Sequence, residues 1–141
     1  MLPATPLAPG TELTTLTKEL AFEKFVAFSR YFREAAHGES VHCSREAARR
    51  KGFARPIAQG LMSYGYINEL IARHFGNELF TGSRVNVKFI KPSFEGDRLT
   101  IGGVVERLEA TADGQRVVLD VWCKNQNGDL LTVGKAEVTL H

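Results

Sequence analysis

Between Ala36 and Ser63 the chain reads AHGESVHCSREAARRKGFARPIAQGLMS, and His37, Glu39 and His42 fall within six residues near its start. An imidazole and a carboxylate are the side chains that most readily exchange protons near neutral pH. The same stretch closes on Gln59-Gly60-Leu61 at the head of an apolar run. At a helix start the first amides have no intrahelical partner, and together with the helix dipole they favour negative charge. A proton carrier followed by an anion-binding helix head is the equipment needed to polarise a carbonyl and move a proton beside it. Removing one such donor typically costs about 3 to 4 kcal/mol of barrier. Cys43 beside His42 suggests a thiol nucleophile, but neighbouring residues in a chain commonly point apart.

The elements that must hold these groups follow from periodicity. The N-terminal MLPATPLAPG, with three prolines and neither a basic nor an apolar signal region, reads as a surface arm over residues 1–10. Glu12 to Leu16 reads as a short strand, and Thr17 as the N-cap of a helix from about residue 18 to 34, with Phe22, Phe25, Val26, Ser29 and Phe32 on one face. Ser44 can cap a short, mostly exposed helix, SREAARRK, with Gly52 after it. From Ala58, Leu61, Tyr64, Ile67, Leu70, Ile71 and Phe75 keep a helical period, ended by Gly76. Gly60 and Gly65 inside it each cost up to about 1 kcal/mol unless close packing or a ligand requires bare backbone.

The second half changes to alternation. Val85, Val87 and Phe89 alternate with polar neighbours, and strands follow over Leu99 to Leu108, Arg116 to Lys124 and Leu130 to Leu140. Asp113-Gly114 and Asn127-Gly128 read as tight hairpin turns between them. Helices first and strands second imply an α+β fold, an antiparallel meander covered on one face by the helix from Ala58.

Composition limits the function. The 141 residues, 43% hydrophobic and 24% charged, suit one globular domain, residues 1–141. A net charge of +2 is too small to imply nucleic-acid binding. The two cysteines have neither metal-ligand nor disulfide-framework spacing, so a reducing, cytoplasmic setting is expected, with no metal. No apolar run approaches membrane-spanning length, so a soluble protein is expected.

Several separated motifs resemble the MaoC-like hot-dog family, which includes (R)-specific enoyl-CoA hydratases and 3-hydroxyacyl-thioester dehydratases. The family pattern runs Asp-x-Asn-Pro-x-His-x-Asp, a short Ala-rich helix, Gly-Phe, Ile-Ala-His-Gly-Met with a long helix, and a strand ending Phe-x-x-Pro-x-x-x-Gly-Asp. This chain offers Val41-His42-Cys43-Ser44, Ala47-Ala48, Gly52-Phe53, Pro56-Ile57-Ala58-Gln59-Gly60-Leu61-Met62 and VKFIKPSFEGD from Val87 to Asp97. The order and spacing agree over about Thr17 to Leu108.

The resemblance implies a curved antiparallel sheet wrapped around one long helix, paired across a homodimer or larger homo-oligomer. It implies a lyase acting on 2-enoyl or 3-hydroxyacyl thioesters, with no cofactor beyond the coenzyme A or acyl carrier protein that carries the substrate. His42 would be catalytic with Glu39 or His37, and Gly60, Gln59 and Leu61 would bind substrate; neither nucleic acid nor membrane is an expected partner. The chain departs from the pattern where the chemistry lies. The family's acid five residues before the histidine is here His37, while Glu39, Ser40, Ser44 and Gln59 replace the motif's Asn, Pro, later Asp and second His. Glu39, Glu34 or a His37–His42 pair could each supply the missing group. Two other functions follow from the departure: a non-catalytic acyl-thioester-binding or partner subunit, and a divergent elimination or cyclisation enzyme.

Other candidates read more simply as structure. His74 suits a helix C-terminal cap, Glu69 and Arg73 an ordinary i,i+4 pair, and Arg49, Arg50 and Lys51 a solvated helix end.

Overall fold

The computed structural model of the chain describes residues 6–31 and 40–141. Among these, α3 (Gly60–Phe75) is the central element. Its Ile67, Leu70, Ile71 and Phe75 recur at the spacing that aligns one helix face, and all four are buried. At about 2 kcal/mol of transfer free energy each, their burial far outweighs the propensity cost of the helix glycines. Gly76, at φ 61°, ends the helix by donating its N–H to Ala72 O.

That face lies on a five-stranded antiparallel sheet of order β1-β3-β4-β5-β2, built from β1 (Leu16–Glu19), β2 (Ser83–Phe89), β3 (Arg98–Thr111), β4 (Gly114–Lys124) and β5 (Leu130–Leu140). On the middle strand Val117, Leu119, Val121 and Cys123 alternate inward, and with Leu99, Ile101 and Val105 of β3 and Leu131, Ala136 and Val138 of β5 they complete the core. A bulge between Val105 and Arg107 bends the long β3 strand, as a sheet wrapping a helix requires.

Three expectations for the first part of the chain need correction. Thr17 caps no helix: β1 pairs with β3, Thr17 facing Thr100, and α1, described over Phe22–Tyr31, starts at Phe22 and not at residue 18. A ladder partner remote in sequence outcompetes a local cap here, and Leu20 closes the strand by donating to Asp97 O at 2.8 Å. Residues 32–34 of the expected helix lie outside the described residues. Glu12 makes only an isolated bridge to Val104. The arm is also less detached than expected, since Leu7 rests against the core and Gly10 N–H donates to Val105 O.

Ser44 does cap α2 (Arg45–Arg50), accepting from Ala47 N–H at 3.1 Å, but Ala47 and Ala48 are buried rather than exposed. The turn at Asp113-Gly114 falls one residue earlier, because Thr111 pairs with Gly114 and leaves Ala112 and Asp113 at the tip. Asn127-Gly128 belongs to a five-residue loop, Lys124 pairing with Leu130, held by the Asn125 carboxamide oxygen accepting from the N–H groups of Asn127 and Asp129. A short α4 (Glu78–Gly82), not among the expected elements, links α3 to β2, with Asn77 at its N-cap position making no side-chain cap hydrogen bond.

Candidate active site

The loop carrying His42 is pinned at both ends. Cys43 and Ser44 donate their N–H groups to Ser40 O, and the His42 N–H reaches the Ser40 hydroxyl at 3.2 Å. After α2 and Gly52, Ile57 N–H returns to Val41 O, while Ile57 bridges Phe94 and Ala58 N–H donates to Ser93 O at 2.8 Å. These rungs hold the His42 loop, the approach to α3 and the turn after β2 in one rigid arrangement.

Asp97, almost fully buried, organises that turn. Its carboxylate accepts from Phe94 N–H at 2.8 Å and from the Gln126 amide at 3.0 Å, with the Arg55 guanidinium 3.9 Å away. This is the Gly-Asp of the motif, and its task here is to hold backbone.

The His42 ring is oriented by its backbone. Nδ1 lies 2.8 Å from Ile57 O, and since a carbonyl only accepts, Nδ1 carries a proton. Nε2 therefore has its lone pair available when the ring is neutral, and it has no hydrogen-bond partner among the described residues. The ring lines a cavity of about 300 Å³ together with Gly60, Ser63, Phe89, Lys91 and Thr132. At the head of α3 the Gly60 and Leu61 N–H groups likewise have no acceptor among the described residues, whereas Met62 N–H already donates to Gln59 O. The cavity thus holds an imidazole with a committed proximal nitrogen and an open distal one, opposite a helix head.

The sequence-derived candidates divide. His42 and Gly60 face one cavity. Gln59 turns aside, its amide nitrogen 3.2 Å from the hydroxyl of the buried Ser29 on α1, and it ties that helix to the head of α3 instead of lining the cavity. The Leu61 side chain is half exposed and faces a neighbouring hollow. His37 and Glu39, with Glu34, lie outside the described residues.

Sequence reasoning assigned no site role to Ser63, Phe89, Lys91 or Thr132. Ser63 could have been found, being one turn after Gly60 on the same helix face. Phe89 is the motif's Phe, to which the pattern gave no task. Thr132 reaches the cavity only because β5 pairs with β2, Phe89 facing Thr132 across the ladder.

The other titratable candidates are accounted for by packing. His74 is buried, its Nδ1 donating to Leu70 O at 2.8 Å and its Nε2 accepting from Thr14 N–H at 3.0 Å, so it fastens the N-terminal segment to α3. Glu69 pairs with Lys18 at 2.6 Å and Arg73 at 2.7 Å, and these partners, Lys18 foremost, lower its pKa. Burial pushes the Cys123 thiol up to about 12, so it is an inert core residue. Among the described residues no cluster of His, Cys, Asp and Glu could hold a metal ion, and no helix is long and apolar enough to cross a membrane.

Comparison with known proteins identifies the fold and the family. The fold is that of the R-hydratase PhaJ1 from Pseudomonas aeruginosa in its unliganded form: 23% identity, 94% of this chain and 81% of that one covered, TM-score 0.77. It also matches the (R)-hydratase from A. caviae involved in PHA biosynthesis, at 24% identity over 98% and 100% of the two chains, TM-score 0.78. The ChsH1-ChsH2 complex from Mycobacterium tuberculosis matches at 18% identity over 95% and 98%, TM-score 0.75. No curated protein matches the chain in sequence. The architecture is therefore the α+β hot-dog fold, an antiparallel sheet around a central helix. The family model described as the MaoC like domain matches residues 29–129, which take in the His42 loop, the head of α3 and the Asp97 turn, and the chain belongs to that hydratase and dehydratase family.

Proposed function

We propose that the chain catalyses reversible addition of water to a 2-enoyl thioester, forming a 3-hydroxyacyl thioester, with the acyl group carried on coenzyme A or acyl carrier protein. The observation that carries this reading is the shared cavity: His42, with its open Nε2, and Gly60, whose amide has no acceptor among the described residues, line one space. The thioester oxygen accepts from the helix-head amides, which stabilise the negative charge it gains as the enolate forms. Water adds its oxygen to the β-carbon, one proton passing through His42 to the α-carbon; in the reverse direction the same proton leaves with the hydroxyl. His37 and Glu39, five and three positions before His42, are the groups this reading gives it as partners for orienting the water. No metal or other cofactor enters these steps.

The unpaired edge of β2 and the exposed Phe80 and Ile90 favour a homodimer or larger homo-oligomer, and the expected setting is the cytoplasm. A second reading, an acyl-thioester-binding partner subunit without turnover, rests on one observation: His37 occupies the position where the family carries its acid.

The test is to incubate purified protein with a panel of 2-enoyl-CoA and enoyl-carrier-protein substrates and follow the 3-hydroxyacyl product by mass spectrometry. Hydration by the wild type and its loss in His42→Ala support the first reading. If both proteins are equally inert while acyl thioesters still bind by calorimetry, the partner-subunit reading replaces it.

A further inference from the structure

A second hollow, of about 360 Å³, lies on the other side of the first turn of α3. Leu61, Tyr64, Val85 and Val87 give it largely apolar walls, with Arg84 and Asn86 also at its border, and Phe89 is shared between it and the cavity that holds His42. The Phe89 ring packs so closely on Gly60 that a Cβ placed there would lie 2.8 to 3.0 Å from three of its ring carbons. Glycine at 60 is what lets the ring lie there. Phe89 is 54% exposed, so its ring is not locked in the core as a buried aromatic would be.

We propose that Phe89 is the specificity-determining partition of this site, ending the acyl chain in the His42 cavity and closing off the hollow a longer chain would enter. The inference rests on the acyl-thioester reading above and adds the class of substrate: short-chain 2-enoyl thioesters for the wild type. A thioester whose oxygen accepts from the Gly60 amide has its carbonyl beside the Phe89 ring, so an alkyl tail running toward that ring meets it within a few carbons. Beyond the ring lies apolar surface suited to methylenes, and each methylene newly buried there is worth about fourfold in binding or kcat/KM.

The experiment compares kcat/KM for crotonyl-CoA and octenoyl-CoA in the wild type, Phe89→Ala and Phe89→Leu, together with calorimetric binding of the saturated butyryl-CoA and octanoyl-CoA. The expected result is a shift of the octenoyl-to-crotonyl ratio toward octenoyl by about tenfold or more in Phe89→Ala, and by less in Phe89→Leu, which keeps part of the bulk. Butyryl and octanoyl affinities should move in the same order. A merely structural role would lower both substrates together and leave the ratio unchanged, and that result overturns the partition while the thioester reading stands. A wild type that neither turns over nor binds any chain length overturns both.

Discussion

Replacing His42 by asparagine separates the two tasks its ring performs. The amide nitrogen of asparagine falls close to the position of Nδ1, so His42→Asn can still donate to Ile57 O, 2.8 Å from the native nitrogen, and keep the loop in place. It has nothing at the distal position. General acid–base catalysis by a positioned side chain contributes about 10² to 10⁴ in rate, which is about 3 to 5 kcal/mol of barrier. The lost Nε2 makes no hydrogen bond among the described residues, so its removal should cost little stability. His42→Ala differs by also abandoning the Ile57 carbonyl, a further loss of about 1 kcal/mol in folding stability. The assay is steady-state hydration of crotonyl-CoA at neutral pH, with calorimetric binding of butyryl-CoA and a urea melt for each variant. For His42→Asn the expected outcome is kcat down by about 10² to 10⁴, binding within about threefold of wild type and an unchanged melt midpoint. Retention of more than about a tenth of the rate would refute the argument, because the proton would then travel by another group. A fall in binding as large as the fall in rate would make His42 a holding residue.

Three further outcomes follow from the packing. Asp97→Asn leaves one carboxamide oxygen for two donors, Phe94 N–H and the Gln126 amide, and should lower unfolding free energy by about 2 to 3 kcal/mol; wild-type stability would show that the turn is held by other contacts. Gly65→Ala should raise stability by about 0.5 to 1 kcal/mol, because a methyl there meets nothing within 4 Å; a fall in the melt midpoint would mean a second copy of the chain packs against this face. The Glu69 carboxyl has its pKa lowered by Lys18 and Arg73, so its contribution is present at neutral pH and disappears as pH drops through the range below about 4. Stability of the wild type should therefore fall more steeply on acidification than that of Glu69→Gln, and parallel acid profiles would show the pair to be energetically idle.

The legible parts of the fold were those where one local rule met no competitor. Ile67, Leu70, Ile71 and Phe75 repeat at helical spacing, and Gly76 ends the helix as its position suggested. Ser44 caps α2 because its hydroxyl needs only an amide three residues away. Thr17 was misread because the cap rule is local, while the strand that claims Thr17 needs β3, more than eighty residues downstream. The turn at Asp113-Gly114 moved by one residue because pairing of Thr111 with Gly114 fixes the register from the strands inward. For Gln59 motif position suggested substrate contact and its amide allowed an equally good structural hydrogen bond; the bond it makes, to a buried hydroxyl on α1, needs a helix thirty residues away.

What the chain's own order of residues determined is which faces are apolar, where α3 begins and ends, and that an imidazole and a bare helix-head amide are available at all, since periodicity, capping and glycine backbone freedom act over a few residues. Only the tertiary structure decided that His42 donates to Ile57, that His42 and Gly60 line one cavity, and that Phe89 borders that cavity against Gly60. These groups come from separate loops, a helix and an edge strand. They meet because ladder bonds through Ser93, Phe94 and Thr132 close long stretches of chain, and such closure depends on the summed burial of the whole core and on no local pattern.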